Sequence, residues 1–189
     1  MNTFKKFFGH LHTINKHKVL VFRHCFRAGI CFQGIKHDLS KYSLTEFVPG
    51  VKYYTGTHSP NEGERKDLGY SLAWIHHKGR NKHHFEYWND INIVTKKYES
   101  VAMPYNYVVE MFCDRVAASK VYRKDLYRDD DALNYFMQGS GRKKMHEQTR
   151  EELQTLLEML AHEGEKKTFA YAKRELKKYK KRRRKNNER

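Results

Sequence analysis

The chemistry of this chain is concentrated in its imidazoles. It has twelve histidines in 189 residues. Four of them form two adjacent pairs, His76-His77 and His83-His84, within the stretch AWIHHKGRNKHHFEYW from Ala73 to Trp88. Trp74 and Ile75 precede the pairs, Phe85, Tyr87 and Trp88 follow them, and a basic turn, Lys78 to Lys82, separates them. Imidazoles held between apolar residues serve as metal ligands or proton carriers. Partners are available elsewhere: His17 or His24 near the start, His37 followed directly by Asp38, and Asp114. Metal sites are assembled in this way, from side chains far apart in the chain. Nitrogen and carboxylate donors without thiolates suit iron, manganese, zinc or cobalt. An Asp beside a His can bridge two ions while the His completes one of them. Two close divalent ions polarise a phosphoryl oxygen and generate hydroxide near neutral pH. A chain of this composition contains about half a His-Asp pair and about 0.7 of a His-His pair by chance, so the order of the whole set is the signal.

Several elements must position these groups. Phe4, Phe7, Phe8, Leu11, Ile14, Val19, Phe22 and Phe26 recur at helical spacing and predict a long helix over 3–28, with Gly29 as its C-cap. His10, His17 and His24 are seven apart and share one stripe of it. A short helix is expected over Cys31–Lys41, carrying His37 and Asp38. Pro49-Gly50 and the stretch Thr55–Gly63 read as loops, with Ser43 and Glu46 as a capping box for a helix before them. A long helix over Glu64–His77 would deliver the first His pair at its C-terminal end. Asn89-Asp90 reads as a turn, and Ile91 to Val101 as a small β-hairpin or an irregular loop. Pro104 opens a helix over Tyr105–Tyr122, on which Glu110 and Asp114 lie four apart on one face. Helices over Asp129–Met137 and His146–His162 follow, separated by Gly139-Ser140-Gly141. The expected fold class is mainly α in a single domain, residues 1–165, with a basic tail, helical or disordered, over 166–189.

Composition supports this outline. The apolar share is 39% and the aromatic share 14%, which excludes a disordered chain. No run approaches the length of a membrane span, and the N-terminal stretch lacks an unbroken apolar signal region. The three cysteines, Cys25, Cys31 and Cys113, are odd in number and widely spaced. A reducing, cytoplasmic setting is the expectation. The net charge is +16, and Lys173–Arg189 alone, with eleven basic residues and two Glu, carries +9 of it. Such a run is a solvated face or tail, and non-specific contact with nucleic acid is its alternative use.

The order His, His-Asp, His-His, Asp resembles the HD-domain superfamily of metal-dependent phosphohydrolases. IKHDLSKYS (35–43) is similar to its apolar-x-His-Asp-apolar-Gly-Lys signature, with Ser40 in place of Gly. WIHHKGRN (74–81) is similar to the His-His segment of the branch that hydrolyses cyclic dinucleotides, and VVEMFCDRVAASKVYRK (108–124) to its last helix. The closer likeness is to an uncharacterised bacterial and phage family sharing HDLSK, AW-x-HH, HH-x-x-YW and MP segments.

The resemblance implies an HD-type helical bundle holding two divalent ions through His17, His37, Asp38, His76, His77 and Asp114, with His24 as the alternative to His17. It implies that a metal-activated hydroxide attacks the phosphorus of a nucleotide or another small phosphate ester. Lys41 and Arg80 would neutralise phosphoryl oxygens, and His83 or His84 would protonate the leaving group. The Gly-Tyr-Pro element of the cyclic-dinucleotide branch is replaced here by Asn81-Lys82-His83-His84, which argues against that substrate. Two other readings stand beside this one. The same fold could carry a di-iron oxygenase, or the chain could be a non-enzymatic basic helical protein that binds nucleic acid.

Overall fold

The computed structural model describes residues 1–139, 141 and 144–187; Ser140 of the expected separator and the last two residues of the basic tail lie outside them. The chain is mainly α, with one two-stranded antiparallel sheet. Helix α1 (Thr3–Ala28) starts at Asn2, whose Oδ1 accepts the Lys5 amide at 2.9 Å, and ends at Gly29 in the left-handed region (φ 82).

The inward face of α1 is not its phenylalanine stripe. It buries His10, Ile14, His17, Val21, His24, Cys25 and Ala28, while Phe4 is 71% and Phe26 64% exposed. The smaller residues let neighbouring helices approach closely. A Cβ on Gly34 of α2 (Cys31–Lys36) would stand 2.7 Å from the Cys25 Cβ.

Helix α2 is shorter than the expected Cys31–Lys41. It stops at Lys36, His37 is extended (φ −53, ψ 129) and Asp38 is left-handed (φ 53). A 3-10 turn, Leu39–Tyr42, follows. Asp tolerates the left-handed region better than most residues, because its short polar side chain can be held by local contacts.

Helix α3 (Leu44–Lys52) runs straight through Pro49-Gly50, where a loop was expected. Gly50 faces α1, and a Cβ there would meet His10 Nε2 at 2.1 Å, so only glycine leaves room for the imidazole. The capping box does not form: Ser43 makes no side-chain cap and Glu46 is buried on other partners.

The single helix expected over Glu64–His77 is two. Helix α4 (Pro60–Leu68) begins inside the expected loop and ends at Gly69 (φ 80). Helix α5 (Leu72–Arg80) is capped by Ser71 Oγ, which accepts the Trp74 amide at 3.0 Å and donates to Glu64 Oε2 at 2.5 Å. The buried Ser71–Glu64 bond fixes the bend between the two helices.

Strands β1 (Asn89–Ile91) and β2 (Tyr98–Ser100) pair Asn89 with Ser100 and Ile91 with Tyr98, so Asn89-Asp90 is strand rather than turn. Helix α6 (Tyr105–Arg123) matches expectation, and α7 (Asp131–Gln138) closely so. Helix α8 (Glu147–Asn187) is far longer than His146–His162 and bends at Gly164 (φ 76, ψ 171).

The core lies between α1, α6 and α8. Val21, Cys25 and Ala28 meet Val108, Val109, Phe112, Cys113 and Val116 of α6, and Leu153, Leu156, Leu157 and Leu160 of α8. Phe169, Ala172 and Leu176, beyond the bend, are buried in the same cluster. A division at 165/166 therefore does not separate core from tail: the basic segment starts as a core helix. Burying a side chain such as Phe169 or Leu176 is worth about 1.5–3 kcal/mol, which ties the far end of α8 to the body. Among the described residues no helix is long and apolar enough to cross a membrane.

Candidate metal centre

Helices α1, α5 and α6 and the break after α2 converge at one end of this core. The extended His37 and left-handed Asp38 turn both side chains inward, and both residues are 2% exposed. Three groups of donor atoms result, each within 4.8 Å, and two of them contain Asp38. Of those two, one is His17, His37, Asp38 and Asp114 and the other is Asp38, His77, His83 and His84; the third, His37, His83 and Glu110, overlaps both.

Asp38 belongs to both, through different oxygens. Its Oδ2 is 3.2 Å from His37 Nε2 and 3.9 Å from His17 Nε2, while its Oδ1 is 3.3 Å from His77 Nε2 and 3.4 Å from His83 Nε2. Asp114 Oδ1 completes the first group at 2.9 Å from His17 Nε2 and 3.5 Å from His37 Nε2. Lys41 Nζ stands 2.6 Å from Asp38 Oδ2.

The opposite edges of these rings are anchored by carboxylates. Glu110 Oε1 accepts from His37 Nδ1 at 3.0 Å and lies 3.3 Å from His83 Nδ1. Its other oxygen accepts from Gln33 Nε2 at 2.7 Å. Glu46 accepts from His77 Nδ1 at 2.7 Å and from His76 Nδ1 at 2.8 Å. A ring whose Nδ1–H is held by a carboxylate keeps its Nε2 lone pair free for a ligand role, in the required orientation.

The inward atoms are left unsatisfied. His17 Nε2, His37 Nε2, His83 Nε2, His84 Nε2 and both oxygens of Asp38 are buried without a hydrogen bond of proper geometry. Orphaned buried polar atoms are rare, and each costs about 1–3 kcal/mol. His83 Nε2, His84 Nε2 and Asp38 Oδ1 have no hydrogen-bond partner among the described residues. Together with His17 Nε2, His37 Nε2 and Asp38 Oδ2, which meet Asp114 and Lys41, they converge on two neighbouring points that fit a cation each.

The electrostatics agree. Burial opposes the Asp38 charge, but His37, Lys41 and His77 hold its carboxyl well below the usual range. Burial likewise opposes ionisation of Asp114, and the close His17 and His37 rings hold it low. Glu110 is buried too, yet His37 and His83 bring it down to about 2. Burial and then the neighbouring His83 push His84 well below an ordinary imidazole, and burial and Lys41 lower His17. His37 is raised, because the carboxylates of Asp38, Asp114 and Glu110 outweigh its burial. The ionised carboxylates and the neutral imidazoles of His17 and His84 are in the states that bind metal, whereas His37, kept protonated by its carboxylates, would have to release its proton to a cation.

Most of the residues expected from sequence come together here: His17, His37, Asp38, Lys41, His77, His83, His84 and Asp114. Three do not. His76 points away from Asp38 to Glu46. His24 sits about two helical turns from His17, stacked on Phe169, with its Nδ1 3.3 Å from the Cys113 carbonyl. Arg80 is exposed at the end of α5, without a hydrogen bond or ion pair among the described residues. Of the second pair, His83 and His84 occupy donor positions rather than a separate proton-donor position. Sequence reasoning missed the anchoring roles of Glu110 and Glu46. For Glu110 a signal was present, since it lies one turn before Asp114 on the same face; for Glu46, three residues after Ser43, the pattern pointed instead to a helix cap.

A family of unknown function, DUF5662, matches residues 6–159, and the chain belongs to it. No curated protein and no solved structure matches the chain.

Proposed function

We propose that the chain is a metal-dependent phosphohydrolase of HD type, acting on a nucleotide or another small phosphate ester. In this reading His17, His37, Asp38 and Asp114 hold one divalent ion, and Asp38, His77, His83 and His84 hold a second. The observation that carries it is the pair of donor groups joined through the two oxygens of Asp38, with their inward atoms unsatisfied. Bound there, two divalent ions would polarise a phosphoryl oxygen and lower the pKa of water, which is the chemistry ester hydrolysis needs.

The chain's own residues do the rest. Glu110 and Glu46 fix the ring orientations. Lys41, 30% exposed, bridges from Asp38 toward solvent and neutralises a phosphoryl oxygen as charge develops on it. His83 and His84 serve as ligands, so neither is assigned proton delivery. Arg80, at the exposed end of α5, has no assigned part.

Elemental analysis of the purified protein tests this, together with hydrolysis of p-nitrophenyl phosphate and a nucleotide panel under iron, manganese, zinc and cobalt. Expected are two ions per chain, loss of both in Asp38→Ala because that residue is shared, and metal-dependent release of phosphate. Unchanged metal content in Asp38→Ala would overturn the reading. Oxygen consumption with iron, and no ester hydrolysis with any ion, would replace it with the oxygenase alternative.

A further inference from the structure

We propose that a cavity between α2, the start of α6 and the far end of α8 binds a small phosphorylated ligand, at a place separate from the His/Asp cluster. The cavity holds about 350 Å³ and is lined by Gln33, Asn106, Tyr179, Lys180, Arg183 and Arg184. It exists because α8 does not trail into solvent after Gly164. Phe169, Ala172 and Leu176 are buried, and Tyr179 packs on the core with its ring 6.1 Å from that of Tyr105. These anchors lay the basic end of α8 beside α2 and α6.

Three cations therefore surround one concavity, without a counter-charge among the described residues. Among the described residues the acid of this stretch is Glu175, which is taken by Arg174 at 3.1 Å and Lys178 at 2.9 Å. Among the described residues no carboxylate pairs with Lys180, Arg183 or Arg184. Lys180 and Arg184 are four apart on one helix face, where like charges repel. An anion between them removes that repulsion.

The chemistry matches phosphate. Arginine presents a planar fork that binds phosphate oxygens in pairs, and lysine adds a point charge. The Tyr179 ring offers an aromatic surface beside them, and Arg183 Cζ lies 6.0 Å from its centroid. Polar groups line the opposite wall: Asn106 Nδ2 donates to Gln33 Oε1 at 3.2 Å, and Gln33 Nε2 donates to Glu110 Oε2. Gln33 thus places the cavity one side chain away from the carboxylate that holds His37. The volume suits a small ligand. A nucleic-acid strand would instead need an extended basic groove with a series of stacking rings.

Titration calorimetry of inorganic tripolyphosphate into the full-length, chelator-treated protein tests this independently of the metal reading. Saturable one-to-one binding is expected. Lys180→Ala with Arg183→Ala should weaken it at least about tenfold, the worth of one charge-assisted contact. Lys177→Ala with Lys181→Ala removes the same charge from exposed positions of the same stretch that do not line the cavity, and should change affinity by less than about twofold. Absence of saturable binding, or equal weakening by the two double variants, would overturn the proposal. So would a single-stranded oligonucleotide that displaces tripolyphosphate and binds more tightly than it. Metal content of the Lys180→Ala, Arg183→Ala variant is expected to stay at the wild-type value, so failure of either proposal is visible without the other.

Discussion

Glu110 is the side chain whose replacement probes the centre most sharply. One of its oxygens faces His37 Nδ1 at 3.0 Å and His83 Nδ1 at 3.3 Å, one ring from each donor group. Removing such an anchor costs about 10–100-fold in metal affinity, equivalent to about 1.4–2.7 kcal/mol. Glu110→Gln keeps the shape and one carbonyl acceptor but loses the charge, and a neutral hydrogen bond is about half as strong as a charge-assisted one. It also turns an amide donor toward Gln33 Nε2, which now donates to Glu110 at 2.7 Å. About tenfold weaker binding is therefore expected for Glu110→Gln, and closer to a hundredfold for Glu110→Ala. Because each donor group loses an anchor, both binding steps should weaken in a zinc titration against a competing chelating dye. Thermal melts in excess chelator separate this from a loss of fold. Unchanged affinity in both variants, or weakening confined to one step, would refute the shared-anchor argument.

Further outcomes follow from other contacts. His77→Ala should abolish one binding step, whereas His76→Ala, which removes only a partner of Glu46, should leave both steps within a few-fold; equal effects would refute the ligand assignment. His24 is held neutral by burial, with its pKa lowered to about 4. The unfolded chain protonates it near pH 6.5, so the unfolded state takes up more protons, and stability is lost as pH falls from 6.5 towards 4. That contribution is about 2 kcal/mol between pH 7.5 and pH 5, and urea unfolding of His24→Leu should show an acid slope shallower by that amount. Gly50→Ala forces a Cβ to within 2.1 Å of His10 Nε2. It should cost about 1–3 kcal/mol despite alanine's better helix propensity, and His10→Ala in the same chain should recover most of the loss in chemical denaturation. Lowering the pH also removes the contribution of Glu165, which burial raises but hydrogen bonds from Lys120 and Arg27 hold below the ordinary range. Because its folded pKa is depressed, its stabilisation is present above the ordinary carboxylate pKa and is lost as pH falls through the lower folded value. Glu165→Gln should therefore melt at a lower temperature than the wild type near neutral pH and converge with it in acid.

The sequence alone determined much of the chemistry and the helical character. Donor types are fixed by composition, and a mainly α chain follows from apolar periodicity and capping residues. The long α1 and the Pro104-initiated α6 were legible because their signals are local: helical apolar spacing closed by Gly29 in one, a proline and a continuous apolar face in the other. Asp114 and Glu110 share a face for the same reason, since four residues make about one helical turn.

What sequence could not decide is which way a face turns and what lies opposite it. The phenylalanine stripe of α1 carries more apolar surface than its histidine stripe, yet the histidines point inward. The energy that settles this comes from Cys25, Val21 and Ala28 against α6, together with carboxylates that arrive from α3, α6 and the break after α2. Pro49 stays in a helix and Glu46 abandons its cap because α3 is held against His10 and the α5 histidines, contacts thirty or more residues away in the chain. The same holds for the two His pairs. Adjacent residues on a helix end point about 100° apart, so His76 and His77 cannot serve one site equally. Only the packing of α5 against α3 chose His77 for Asp38 and left His76 to Glu46.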